Sequence, residues 1–355
     1  MRTELDPGQL GLTVLSLFKL KEGEVASAVL HVGHKLGLFT ALDEAGTTTS
    51  VAFAEATGLH ERWVREFLFL LSSLDLAQHD DGEFMLTPEA SVVLAQPDHP
   101  QYQAGVFGPP ITQHEIDRTI EAFSSGIGMT WDEHGAETCH FQAAMGAGGQ
   151  KAFLVPVILD SIEAMTERLQ AGATVVDIGC GAGVAATTVA QAFPNTNVIG
   201  MDPSSHAIAA ASARAAEAGL DNLSFRQGTF DDLGEFADVD LPLTLDVIHD
   251  LPRPGAAVRS ARECLADDGV WMVADIRARG GLEDNRAIPV LPLMYGMSIL
   301  YCMSSAMSEP GGAGLGTLGL TTGVFEEMTQ AAGFTGFVSR EFDVDVMNRY
   351  YEVRP

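Results

Sequence analysis

The run Val175-Val176-Asp177-Ile178-Gly179-Cys180-Gly181-Ala182-Gly183 constrains this chain more than any other feature. It reads as a buried strand entering a turn with glycine at alternate positions. Glycine there leaves no side chain between backbone and ligand and tolerates positive φ. The alanine-rich run Val184 to Phe193 follows with helical spacing, so the turn would deliver a ligand to a helix N-terminus. A second apolar strand, Val198 to Met201, then ends in Asp202, where doubly wound sheets place an acid against ribose hydroxyls. In a chain with 37 glycines the loop alone is weak evidence; strand, loop, helix, strand and acid together are specific.

A dinucleotide fingerprint needs its third glycine three residues after the second, where this chain has Val184. The pattern found, acid-x-Gly-x-Gly-x-Gly, resembles the cofactor loop of the class I S-adenosylmethionine-dependent methyltransferases. That resemblance implies that Asp177 anchors the methionine end of S-adenosylmethionine, that Gly179, Gly181 and Gly183 allow close backbone approach, and that Asp202 takes the ribose diol. It also implies an acid after the glycine that follows the third strand. Thr229 stands there, so the Phe230 backbone or Asp231 is expected to meet the adenine, with Leu245 completing the cofactor set.

With 355 residues there is room for two domains, and 46% hydrophobic and 19% charged residues describe a globular protein. The net charge of −28, from 48 acids against 20 lysines and arginines, opposes nucleic acid and anionic membranes as partners. Cys139, Cys180, Cys264 and Cys302 are scattered without the paired spacing of a zinc or redox motif. The N-terminus, Met1 to Pro7, shows no secretory pattern and no window approaches membrane-spanning length, so the expected location is cytoplasmic.

Residues 1–98 read as helix, helix, turn, helix and hairpin, which is a winged helix. Helical spacing runs from Gly23 to Leu42, Val51 to Thr57 and Glu61 to Leu74, and Asp80-Asp81-Gly82 makes the hairpin turn. A wing carrying Asp80, Asp81 and Glu83 would be pushed off phosphates, so the expected role is dimerisation, with Leu10 to Leu20 and helix 61–74 burying against a second subunit. Residues 99–165 read as a helical linker or lid over the cleft, with Ile111 to Phe123 and Pro156 to Leu169 helical. Residues 166–355 alternate strand and helix, and the expected class is α/β: a Rossmann-like seven-stranded methyltransferase sheet preceded by the winged-helix domain. Pro242 falls inside the proposed fourth strand, which counts against its boundaries. The glycine run 311–319 lacks the ending of a phosphate loop and reads as a flexible flap.

Leu245-Asp246-Val247-Ile248-His249-Asp250-Leu251-Pro252 closes the fourth strand, and carboxyl ends of strands border the crevice of an open sheet. It is similar to a branch of bacterial winged-helix methyltransferases, as are Tyr301 to Ser305, Gly311 to Thr317 and Asn348 to Tyr351. His249 is the expected general base, with Asp250 beside it, because imidazole titrates near neutrality and a hydroxyl nucleophile gains from proton removal. Trp131, His140, Tyr295 and Tyr301 are the expected substrate contacts. Some relatives in that branch hold a metal with a second histidine near the Tyr301 position; no histidine follows His249, so no metal is expected. The reading is a homodimeric methyltransferase acting on a small molecule of secondary metabolism, with oxygen before carbon or nitrogen as acceptor. Its rivals are an enzyme that binds the cofactor for a cyclisation or rearrangement, and a cofactor-sensing regulator.

Overall fold

The computed structural model describes residues 5–355. Met1 to Glu4, part of the stretch read above for targeting signals, lie outside the described residues. The chain divides at Pro110/Ile111 into two units, so the segment expected as a linker, 99–165, is shared between them.

The first unit holds helices α1 (Pro7–Lys35), α2 (Leu38–Ala45), α3 (Ser50–Thr57) and α4 (Glu61–Ser73). Strands β1 (Thr48–Thr49), β2 (Ala77–Asp80) and β3 (Glu83–Leu86) form an antiparallel sheet of order β1-β3-β2. Phe39, Leu42, Phe53, Leu68 and Leu71 make its core. Helix α1 runs through Gly23, where helical spacing had been expected to begin, and the break comes at Gly37 with φ 68°. Gly33 is needed inside α1 because a Cβ there would stand 2.5 Å from the Phe67 ring. The arginines of α4 are taken up along the helix, Arg62 by Glu66 and Arg65 by Glu61, which leaves no free basic face for a phosphate backbone.

The second unit is built on β4 (Thr174–Ile178), β5 (Asn197–Asp202), β6 (Leu223–Gln227), β7 (Leu241–Leu245), β8 (Trp271–Ile276), β9 (Gly336–Phe342) and β10 (Asp345–Arg354). The sheet order is β6-β5-β4-β7-β8-β10-β9, parallel except for β10, which runs against both β8 and β9. The central strands read as unbroken apolar runs because both faces are covered. Val175, Leu241, Leu243 and Met272 enter one core, and Val176, Ile178, Trp271 and Val273 the other. Pro242 does lie in β7; β7 meets β8 only from Leu243 onward, so its missing N–H falls outside that ladder. The helix expected over 156–169 is instead broken, with Ala164 at φ 60° between irregular turns and a helix at Met165–Ala171. Among the described residues no single helix is long and apolar enough to cross a membrane.

Candidate active site

The glycine loop leaves β4 and enters the helix Val184–Ala192. Gly179, Gly181 and Gly183 all take left-handed φ, at 75°, 52° and 74°. At two of them space is as demanding as conformation: a Cβ at Gly179 would stand 2.5 Å from Val247, and one at Gly183 2.5 Å from Phe225. Nothing lies within 4 Å of the Cβ direction of Gly181, the open side of the turn. Asp202 accepts from Gly181 N–H at 2.9 Å and from Ser204 N–H at 2.8 Å, so the expected ribose acid also ties the loop to the next helix. Asp177 is buried, and its Oδ2 has no partner. An orphaned buried carboxylate oxygen beside a turn open at Gly181 fits a cofactor with a cationic amino-acid end, as S-adenosylmethionine has.

Burial pushes Asp177 up to about 7, against the pull of the Ala186 N–H. A raised carboxyl keeps its proton in the folded protein while the unfolded chain has lost it, so ligand-free stability falls as pH climbs from about 4 to 7. Asp177→Asn is therefore expected to flatten that fall in thermal-unfolding scans while abolishing cofactor-induced stabilisation. A steeper fall in the variant would overturn the assignment.

Three further residues are expected at the cofactor. The Phe230 ring is buried in the core with Leu233, leaving only its backbone to the cleft. Asp231 is exposed and pairs with Arg253 at 3.1 Å, while Asp232 closes the turn by accepting from Thr229 N–H. Leu245 ends β7 opposite Ala274, half-buried.

His249 sits in the short turn Ile248–Asp250 after β7, almost wholly buried. Its Nδ1 meets Asp275 Oδ1 at 2.7 Å, and its Nε2 lies 3.1 Å from Asp250 Oδ1. Asp250 Oδ2 in turn accepts from the Trp131 indole N–H at 2.9 Å. Burial alone would lower the imidazole's proton affinity, but Asp275 and Asp250 outweigh it and hold His249 well above the ordinary histidine range. Asp275 was read only as the end of a strand; the rule that drew attention to His249, carboxyl ends of strands facing the crevice, applied to it equally. Cys302 is the other residue missed: its buried thiol lies within 4.8 Å of ligand atoms of both His249 and Asp250.

The glycine run expected as a flap is instead packed. Gly316 N–H donates to the His249 carbonyl and Ala313 N–H to the Pro252 carbonyl, and a Cβ at Gly319 would stand 2.1 Å from the Leu315 carbonyl oxygen. The run holds the backbone of the turn that carries His249.

Residues 128–134 bridge the two sides of the cleft. Asp132 accepts from Ser204 Oγ, Ser205 Oγ and Ser205 N–H, next to the ribose acid; Trp131 holds Asp250; Met129 N–H donates to Ser304 Oγ. Trp131 stacks nearly parallel on Tyr301 at 5.9 Å, and His134, held by Glu115, packs on the same ring at 4.9 Å. Burial, with Glu115 adding to it, pushes the Tyr301 phenol up to about 12, so it stands there as a neutral hydroxyl. The other two expected substrate contacts lie apart from this stack. His140 lies on the exposed face of the helix Gly135–Phe153, with His134 in the cluster in its place, and Tyr295 packs with Ala278, Met294 and Leu318 in a separate cluster.

Residues 169–294 match the family model described as a methyltransferase domain, and residues 25–96 one described as an Rv2258c-like winged HTH domain. A ubiquinone biosynthesis O-methyltransferase from Azorhizobium caulinodans is 30% identical over 115 residues, 32% of this chain and 44% of that protein. The chain thus spans about half the length of this curated relative. Over the whole chain, a candidate O-methyltransferase from Nostoc punctiforme superposes with a TM-score of 0.69 at 19% identity, covering 99% of this chain and all of the other. Human N-acetylserotonin methyltransferase, in complex with S-adenosylmethionine, does so at 0.65 and 17% identity, covering 100% and 99%. The chain thus joins a winged helix–turn–helix domain at residues 25–96 to a methyltransferase domain at residues 169–294, which carries the glycine loop 177–183.

Proposed function

We propose that this chain methylates a hydroxyl oxygen of a small molecule, with His249 as the base. The observation that carries the reading is the imidazole itself: Nδ1 is committed to Asp275 at 2.7 Å, so the proton to be exchanged is the one on Nε2, which lies 3.1 Å from Asp250 Oδ1. The cofactor supplies a methyl group on a positively charged sulfur, so the protein's work is alignment, exclusion of water and disposal of one proton. His249 Nε2 takes that proton from the acceptor hydroxyl. Asp275 fixes the ring tautomer and stabilises the imidazolium that results. Trp131 and Asp132, tied to Asp250 and to Ser204 and Ser205, close the cleft over the reacting groups. The curated relative is named for oxygen methylation, which supports oxygen as acceptor.

His249, Asp250 and Cys302 offer ligand atoms within 4.8 Å of one another. A metal would need a neutral imidazole and a thiolate. Here the carboxylates hold the proton on His249, and burial raises the Cys302 thiol. The cluster is therefore read as one that handles protons, without a metal. Because His249 must lose its proton before it can accept one, kcat/KM is expected to climb with pH through a limb on the alkaline side of about 6.5. The test incubates chelator-dialysed protein with S-adenosylmethionine and a panel of phenols, enols and keto acids, and reads product mass against pH. A product heavier by one methylene, formed faster as pH rises, is expected. Turnover at unchanged mass would favour the non-methylating rival, and activity lost on dialysis would contradict the metal-free reading.

The chain is further read as a cytoplasmic homodimer. Leu10, Leu12, Leu15, Leu17, Phe18 and Leu20 are exposed along the first half of α1, a stripe that water alone would not cover. The four cysteines are all free thiols, as a reducing compartment keeps them. Leu15→Asp with Phe18→Asp is expected to convert a dimer to a monomer in sedimentation velocity; a monomeric parent protein would contradict the assignment.

A further inference from the structure

Asp246 follows β7 directly, at φ 58°, a left-handed conformation that strains a non-glycine residue. Its N–H donates to the Ala274 carbonyl at 2.8 Å, and Leu245 pairs with Ala274 in the ladder, so Asp246 leaves β7 beside Asp275 of β8. One carboxyl oxygen, Oδ2, accepts from the Asn348 amide at 2.9 Å; the other, Oδ1, is buried without a partner. Asp275 shows the complementary deficit. Its Oδ1 serves His249 Nδ1 and Ile276 N–H, while its buried Oδ2 has no partner. Two neighbouring carboxyl groups, each with one orphaned buried oxygen, are satisfied together if a single proton sits between them.

We propose that Asp246 is a positioning residue of the His249–Asp275 pair: in its protonated form it donates to Asp275 Oδ2 and keeps that carboxyl group aimed at the imidazole. The proposal rests on the reading of His249 as the base. Burial and the Asp275 charge push Asp246 up to about 7, which supplies the proton at neutral pH. The groups facing Asp246 are Asp275 from β8, His249 from the turn, and Asn348, Asp345 and Tyr350 from β10. Tyr350 already donates to Asp345, so neither provides the missing proton. Once Asp246 ionises, its second negative charge strengthens the hold on the His249 proton, and the two titrate as a coupled unit.

The test is an NMR titration of the His249 imidazole in the full chain, alongside the pH–rate profile of Asp246→Asn and Asp246→Leu. Asparagine imitates the protonated acid, with an N–H for Asp275 and an oxygen for Asn348. It is expected to keep kcat within about threefold of the parent and to move both the imidazole titration and the acid limb of the profile to lower pH. Leucine fills the space without a donor and is expected to lower kcat by about tenfold or more at unchanged cofactor affinity. An imidazole titration unmoved in Asp246→Asn would overturn the proposal. So would equal activity in the two variants. The titration reads the coupling without turnover, so a protein that methylates nothing would still show the shift, and failure of the catalytic reading stays separate from failure of this one.

Discussion

His249→Ala is expected to lower kcat by about a thousandfold while leaving S-adenosylmethionine affinity within about threefold. The imidazole is the proposed proton acceptor: Asp275 is bound to its Nδ1, and Asp250, with one oxygen on the Trp131 indole and the other 3.1 Å from Nε2, would be left without the ring it supports. The split matters as much as the size. His249 lies beyond Val247, whose side chain packs on Gly179, so it belongs to the acceptor side of the cleft and removes nothing that holds the cofactor. A variant with the parent's kcat would remove the base from the mechanism. A variant that lost cofactor binding as well would mean the turn 246–250 had collapsed, which circular dichroism and the affinity itself report.

Asp202→Ala is expected to weaken S-adenosylmethionine binding by about a hundredfold. Two hydroxyls on one buried carboxylate are worth roughly 3 kcal/mol together. The same side chain also satisfies the N–H groups of Gly181 and Ser204, so its loss loosens the loop and the start of the helix Ser205–Ala218. Asp202→Asn would restore one acceptor but set an amide against those N–H donors, and is expected to recover little of the affinity. Titration calorimetry measures both variants, and an unchanged dissociation constant would remove Asp202 from the cofactor site.

The cofactor half of the site was legible because its constraints are local. Glycines at 179, 181 and 183 answer a backbone that turns left-handed three times within five residues, and the acids at 177 and 202 stand at strand ends that periodicity locates. The acceptor half was legible only at His249 and Asp250. Their partners come from far along the chain: Asp275 is 26 residues away from His249, and Trp131 is 119 from Asp250. No spacing rule links such positions. His134 and His140 both stand near an aromatic residue in the sequence; the structure puts His134 just before the helix Gly135–Phe153, against Tyr301, and His140 on that helix's exposed face. That helix escaped notice because Gly146, Gly148 and Gly149 lower helix propensity over its second half, and packing overrides them. Arg253, which pairs with Asp231, is likewise beyond the reach of a spacing rule.

The central claim is that the loop 177–183 with Asp202 is an S-adenosylmethionine site. It is tested most directly by calorimetric titration of the cofactor-stripped protein with S-adenosylmethionine and, separately, with S-adenosylhomocysteine. Micromolar binding of both, one equivalent per chain and lost in Asp202→Ala, is the result the structure predicts. Absence of heat and of thermal stabilisation with either ligand would contradict it.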